Sequence, residues 1–149
     1  MSSETEHLKL ALHNIEVLDY LRARPDFCDW TATVAFYTAV HVVEAVFFHD
    51  RQRIGFSHIQ NHEERERILK SIKNYQNLYK HYRPLSSASI IARYLRSENQ
   101  KGLCEYMNHS QVEDTLIKHH LGQLIKTAGR FLSPDCAGQL AEAFKHSFE

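Results

Sequence analysis

The sequence has little of what β-structure and covalent cross-linking need. It contains 5 glycines, 3 prolines and 3 cysteines in 149 residues, and apolar and polar residues alternate nowhere over the length of a strand. Turn-forming residues are few and apolar residues do not recur at every second position, and both features favour an all-α chain. The odd number of cysteines, none closely spaced, is typical of reduced thiols in a core and disfavours both a disulfide framework and a thiolate zinc site.

Motifs of several enzyme classes are also missing. The chain has no Gly-rich phosphate loop and no G-x-S-x-G elbow, which disfavours the nucleotide hydrolases and serine hydrolases that use them. The N-terminus lacks a basic-then-apolar leader, and the longest apolar run contains His41 and Glu44. We therefore expect a cytoplasmic protein that does not bind or cross a membrane.

The net charge is zero, but it is unevenly distributed along the chain. Residues 1–50 hold three basic and eight acidic side chains, a net charge of −5, whereas residues 51–101 hold eleven basic and four acidic ones, a net charge of +7. A basic segment suits a surface that binds phosphates, because neutralised phosphates release counterions. The alternative is that these basic side chains pair internally with the acidic first helices.

Residues 29–48, DWTATVAFYTAVHVVEAVFF, are the most apolar stretch of the chain and predict a second helix that ends near His49. At 3.6 residues per turn, one stripe of this helix carries Tyr37, His41 and Glu44. A helix that is apolar on nearly every side is a buried helix. Its three polar groups therefore need partners from neighbouring helices, from water or from a ligand.

Caps and prolines divide the chain into five or six helices. Capping residues predict helix starts at Ser2 or Ser3, near residue 58 or 62 (Ser57 with Gln60, or Asn61 with Glu64), at Ser110 with Glu113, and at Ser133. Pro84 is expected to end the third helix, because proline removes a backbone donor from a helix interior. Short connections then predict an all-α, up-and-down helical bundle in one domain spanning residues 1–149.

Fragments of three helices, in this order, add a resemblance to a known family. The second helix contains AFYTAVH, the third opens with NHEERERIL, and the fourth contains SSASIIARY. In order and separation they resemble the HEPN domain superfamily, specifically members with Y-x-x-x-H on the second helix, H-x-x-R soon after it and A-R-Y on the fourth. The resemblance covers residues 8–131.

The resemblance implies a helical bundle, frequently a homodimer, whose relatives bind or act on RNA and nucleotides. Many relatives are metal-independent ribonucleases that serve as toxins or defence effectors, often beside a nucleotidyltransferase-like partner protein. Their active site is an Arg separated by four to six residues from a His, near the start of a late helix. In this chain no His follows Arg93 at that distance, and only Arg51 or Arg53 with His58 match the spacing.

The residues carried over from these motifs form the candidate site. Arg93, His62 and Arg65 are the catalytic or phosphate-binding candidates, because guanidinium forks suit phosphates and imidazole transfers protons near neutral pH. The candidate ligand-binding residues are Tyr37, His41, Tyr94, Arg53 and His58. For Tyr37 and His41, the alternative is a structural role: together with Glu44 they would form a hydrogen-bond network in the core to which Arg93 also bonds.

A metal site is a further alternative. His58 and His62, with His41 or Glu44, offer ligands of the kind that bind Zn²⁺, but they lack the acidic base of an H-E-x-x-H helix. The sequence therefore predicts no metal and no cofactor. The first hypothesis is an HEPN-like domain that binds RNA or a nucleotide through its basic middle segment, with or without ribonuclease activity. A non-catalytic protein-interaction module and a metal-binding helical-bundle enzyme are the alternatives.

Overall fold

A computed structural model describes residues 3–54, 61–94 and 103–149 of the chain. The regular secondary structure of these residues is entirely helical, which confirms the prediction of an all-α bundle. The α-helices are α1 (Glu4–Leu21), α2 (Cys28–His49), α3 (Arg51–Ile54), α4 (His62–Ser71), α5 (Gln76–Tyr94), α6 (Leu103–Tyr106), α7 (His109–Gln111), α8 (Gly122–Ala128) and α9 (Pro134–Phe148). A π-helical segment, Val112–Leu121, joins α7 to α8 without a break.

The second helix, α2, is the centre of the bundle. Fifteen of its 22 residues are buried, and it packs against α1, α5, α8 and the π-helical segment. Alanines at positions 32, 35 and 39 are at most 1% exposed, so neighbouring helices approach its backbone closely. Its bounds and its burial confirm the prediction from the apolar run.

One stripe of α2 is less buried than the rest. Trp30 is 61% exposed, and Val34, Tyr37 and His41 are half-buried along the same side. Glu44 continues this line but is buried. Tyr37 and His41 therefore lie at the margin of the core and Glu44 lies within it, and side chains from other helices reach all three.

Length and composition alone would allow α2 and the turn before it to span a membrane. The stretch Pro25–His49 passes a hydropathy test for such a span, but 78% of its most apolar window is buried inside the bundle. A core helix of a soluble protein has the same property. The bundle thus accounts for the apolar run without a membrane.

Helices α1 and α9 begin at the predicted caps and pack against each other. The Ser3 hydroxyl accepts a hydrogen bond from the backbone N–H of Glu6, and the Ser133 hydroxyl accepts one from the backbone N–H of Cys136. Pro134 occupies the first turn of α9, where its missing N–H costs no helical hydrogen bond. The buried apolar residues of these two helices include Leu8, Ile15, Leu18, Leu140, Phe144 and Phe148.

The prediction that Pro84 ends a helix is wrong. The break falls earlier: α4 ends at Ser71, Ile72 is extended with φ −100° and ψ 117°, and α5 runs through Pro84. Proline removes one hydrogen bond from a helix interior. Here burial of Tyr82 and Leu85 on the same helix offsets that loss, so tertiary packing outweighs local propensity.

The helix predicted to start at Ser110 begins at a different cap. The Asn108 side chain accepts from the backbone N–H of Gln111 at 2.8 Å, and the Gln111 side chain accepts from the backbone N–H of Asn108 at 2.9 Å. This reciprocal pair is a complete capping box. Asn61 likewise caps α4, as one of the two predicted boxes requires, whereas Ser57 lies outside the described residues.

The cysteines depart from expectation at one position. Cys136 is a free and buried thiol whose pKa is raised by burial. Cys28, at the start of α2, is disulfide-bonded. The expectation of reduced thiols is therefore wrong for Cys28, because spacing along the chain does not determine which sulfurs the fold brings together.

Replacing Asn108 by alanine is expected to lower the free energy of unfolding by about 1 kcal/mol, since the first turn of α7 loses its capping side chain. Ser110→Ala is the matched control. Its hydroxyl only contacts the exposed Asp114 carboxylate, so we expect a change below about 0.5 kcal/mol. Urea denaturation of both variants measures the difference, and a larger loss for Ser110→Ala would contradict the observed boundary.

Candidate functional site

Arg93, in the last turn of α5, reaches the partly exposed stripe of α2. Its Nη1 donates a hydrogen bond to the Tyr37 hydroxyl at 2.9 Å, and its Nε donates to the Ser89 hydroxyl at 2.9 Å. The guanidinium carbon lies 5.4 Å from the ring centroid of Tyr37 and 4.9 Å from that of Tyr94, within the range of cation–π attraction. These contacts hold the guanidinium in one orientation between α2 and α5.

Arg65 extends from α4 into the core, where it meets the buried carboxylate of α2. Its Nε donates to Glu44 Oε1 at 2.7 Å, and the two side chains are 8% and 7% exposed. Its Nη1 donates to Nδ1 of His62 at 2.7 Å. The charge of Arg65 is therefore neutralised inside the fold, and its second contact orients His62.

His62 lies at the first position of α4, with its ring against Phe36 and Tyr37 at centroid distances of 5.4 and 5.9 Å. Arginine has donors only, so the His62 nitrogen that faces Arg65 must accept. The proton of the neutral ring is then on Nε2. Partial burial lowers the pKa of His62, and the positive charges of Arg65 and Arg93 lower it further, so the ring is neutral near pH 7.

The fold thus brings together five of the candidate residues from three helices. They are Tyr37, His62, Arg65, Arg93 and Tyr94. Two supporting side chains, Ser89 and Phe36, were not predicted from the sequence. The four-residue spacing of Ser89 and Arg93 on one helix was the available signal for the first, while only tertiary packing identifies the second.

His41 takes its partner from α1 instead. Its Nδ1 is 3.0 Å from Nδ1 of His7, and the two rings stack at a centroid distance of 5.3 Å. Burial lowers the pKa of His41 to about 4, and the positive charges of His7 and Arg65 contribute. This contact agrees with the alternative in which His41 is part of a core network rather than a ligand site.

Arg53 is also remote from Arg93. Its Nε donates to Asp50 Oδ2 at 2.8 Å, and its guanidinium lies over the Phe131 ring. Asp50 follows Tyr37 by thirteen helical positions, which is about 20 Å along an α-helix. His58 lies outside the described residues, so the Arg51–His58 and Arg53–His58 spacings stay predictions.

The basic middle segment is partly, but not wholly, paired with acidic side chains of the first two helices. Arg65 pairs with Glu44, and Arg53 pairs with Asp50 just beyond α2. Across residues 3–54, 61–94 and 103–149, no ion pair involves Arg93. Internal pairing therefore holds for Arg65 and Arg53, whereas phosphate binding by Arg93 stays a prediction.

Comparison with known proteins adds nothing to this geometry. No family model matches the chain, and neither a curated protein nor a solved structure matches it. The HEPN resemblance accordingly stays a prediction.

Replacing Glu44 by glutamine is expected to lower the free energy of unfolding by about 3–5 kcal/mol. The amide keeps the shape of the side chain, but Arg65 is left as a buried charge without its counter-ion. Glu64→Gln is the control, because Glu64 pairs with the exposed Arg67 at 3.9 Å and such pairs contribute under about 1 kcal/mol. Similar losses for both variants in urea denaturation would show that the buried pair is not a special stabilising contact.

Stability is expected to fall as pH decreases from about 6.5 to about 4. The folded-state pKa of His41 is about 4, below its ordinary value of 6.5, so the unfolded chain binds more protons in this window and is favoured by acid. His41→Gln should make the fall shallower, whereas His146→Gln, at an exposed histidine of α9, should not. Urea denaturation across this pH range measures how the free energy of unfolding of each variant depends on pH. If His41→Gln has the same pH dependence as the wild type, His41 is not the group responsible.

Proposed function

We propose that this protein is an HEPN-like bundle that binds a phosphate group of RNA or of a nucleotide at Arg93, beside His62 and Tyr37. The observation that carries the proposal is the state of Arg93: its guanidinium is oriented by Tyr37 and Ser89, yet no carboxylate of the described chain neutralises it. Its Nη2 has no acceptor among those residues. A guanidinium with N–H groups to spare binds phosphate oxygens well.

The neighbouring side chains have separate roles in this proposal. His62 offers its Nε2–H as a second donor, because its Nδ1 accepts from Arg65. Arg65 is a positioning residue that acts through His62. Tyr94 is 57% exposed, and its ring supplies a face on which a base stacks, a contact that contributes about 1–3 kcal/mol per base.

The same geometry favours binding over cleavage. A general base for the 2′-hydroxyl of RNA needs an unprotonated ring nitrogen directed at that hydroxyl. In neutral His62, the unprotonated nitrogen is directed at Arg65 instead. Ribonuclease activity is therefore the alternative outcome of the experiment below.

In this proposal the protein is a homodimer, as the resemblance implies, and it is located in the cytoplasm. The buried state of the apolar window of α2 supports a soluble chain. The disulfide at Cys28 argues in the other direction, because disulfides are rare in the cytosol. A role in toxin or defence systems rests on the resemblance alone.

Single-stranded RNA with a fluorescent 5′ label tests the proposal by anisotropy at several salt concentrations. Wild-type binding is expected to weaken with salt, because bound phosphates displace counterions. Arg93→Ala should lower the affinity about tenfold or more, as expected for a lost charge-assisted hydrogen bond of about 1.5–3 kcal/mol. The affinity of Arg93→Lys for RNA should lie between those of the wild type and Arg93→Ala, since an ammonium keeps the charge but lacks the fork geometry of a guanidinium.

Arg67→Ala is the matched control for Arg93→Ala. Arg67 belongs to the same basic segment and is 68% exposed on α4, so removing it changes net charge equally without touching the site. Its affinity should stay within about twofold of wild type. Equal losses for the two variants, or no binding by the wild type, would refute the site. Shortened RNA that disappears in His62→Ala would favour the ribonuclease alternative.

A further inference from the structure

Three histidines that the proposed function does not use meet between α5 and the π-helical segment. His81 of α5 is buried at 8% exposure, whereas His120 is half-buried and His119 is exposed. A ring nitrogen from each lies within 4.8 Å of those of the other two. The Nδ1 atoms of His81 and His120 are 3.2 Å apart. The cluster thus combines one buried, one half-buried and one exposed imidazole.

The spacing of these nitrogens suits a metal ion. Zn²⁺ binds imidazole nitrogen at about 2.0–2.1 Å, and tetrahedral geometry then separates two ligand nitrogens by about 3.3 Å. The nitrogens of His81 and His120 already stand at that separation. His119 is on the surface, so its side chain can rotate to complete the set without disturbing the core.

The π-helical backbone explains why two adjacent residues face one point. In an α-helix, neighbouring side chains diverge by about 100°, and a π-helix, with more residues per turn, reduces that angle. The rings of His119 and His120 are 4.7 Å apart, and both contact the ring of His81, at 5.5 and 5.4 Å. π-helical segments are rare and frequently occur at functional sites.

The surroundings of two of the three rings, His81 and His120, favour neutral imidazole. Burial lowers the pKa of His81 and of His120, and the positive charges of His119 and Lys80 lower both further. Neutral imidazole is the form that coordinates a metal. The Lys80 ammonium repels a divalent ion, so we expect moderate rather than extreme affinity.

We propose that His81, His119 and His120 bind one Zn²⁺ ion, or a similar divalent transition metal, through one ring nitrogen each, leaving a fourth position for water. This set shares no residue with the metal site weighed in the sequence, which used His58 and His62. It is also separate from Arg93, which follows His81 by twelve positions on α5, about 18 Å along the helix. The inference stands or falls independently of phosphate binding.

Isothermal titration of untagged, chelator-treated protein with ZnCl₂ tests the site. We expect saturable binding of one ion per chain, and Co²⁺ in place of Zn²⁺ should give the visible absorption of a low-coordinate centre. His119→Ala and His120→Ala should each lower the Zn²⁺ affinity at least about tenfold, since loss of even an outer-shell partner commonly costs about 10–100-fold. Because His119 is exposed, the His119→Ala variant is expected to fold normally, and circular dichroism would verify this.

Two controls separate this site from adventitious binding by other histidines. His146→Ala removes an exposed imidazole, and His41→Ala removes one from the only other described histidine pair with close Nδ1 atoms; both should bind Zn²⁺ within about twofold of wild type. Arg93→Ala should also bind Zn²⁺ normally, and His119→Ala should bind RNA normally. Absence of saturable Zn²⁺ binding, or equal affinity in His119→Ala, His120→Ala and the controls, would overturn the proposal.

Discussion

The burial of Glu44 is the constraint on which the rest of this structure depends. A carboxylate in the most apolar helix of the chain must be neutralised at the depth where it lies, and Arg65 of α4 does so at 2.7 Å. Such a pair adds little net stability compared with apolar packing, but losing one partner is costly. The ion pair therefore ties α4, which packs against α5, to the central helix, and His62 at the start of α4 is placed with it.

The other two polar groups of α2 are satisfied in the same way by different helices. Tyr37 accepts from Arg93 of α5, and His41 contacts His7 of α1. Each of these three polar side chains of α2 thus contacts a side chain of a different helix, and the three contacts together orient α1, α4 and α5. Only the Tyr37 contact lies at a surface with a cation that lacks an acidic partner in the described structure. This is why the structural and ligand-binding interpretations apply to different residues of one stripe.

Helix α5 connects the two proposed sites. Its C-terminal turn presents Arg93 beside α2, and its first half presents His81 to the π-helical segment. An uninterrupted helix is needed for this arrangement, because a break would uncouple the positions of the two residues. Continuation of α5 through Pro84 is therefore relevant to both sites, and burial of Tyr82 and Leu85 supplies the stabilisation that local propensity does not.

Much of the fold was predictable, since helix periodicity and caps are local. The apolar run predicted the central helix. Three helix starts were predicted from their capping residues, Ser3, Asn61 and Ser133. The errors at Pro84 and Cys28 share a cause, since in both a contact between distant residues outweighs the local signal. The error at Ser110 is different, because a neighbouring residue, Asn108, is the better cap. For the site, short motifs identified residues that do converge, but not their partners, and they gave no sign of the histidine cluster.

By itself the sequence determined that the chain is helical, that its second helix is buried, and that three polar groups on that helix need partners. These properties follow from residue type and spacing, which do not depend on the rest of the fold. Only the tertiary structure decided that Glu44 pairs with Arg65, that Arg93 bonds Tyr37 rather than a carboxylate of the described residues, and that His81 meets His119 and His120. Charge pairing and coordination depend on distances of a few ångströms between remote residues, and packing alone sets those distances.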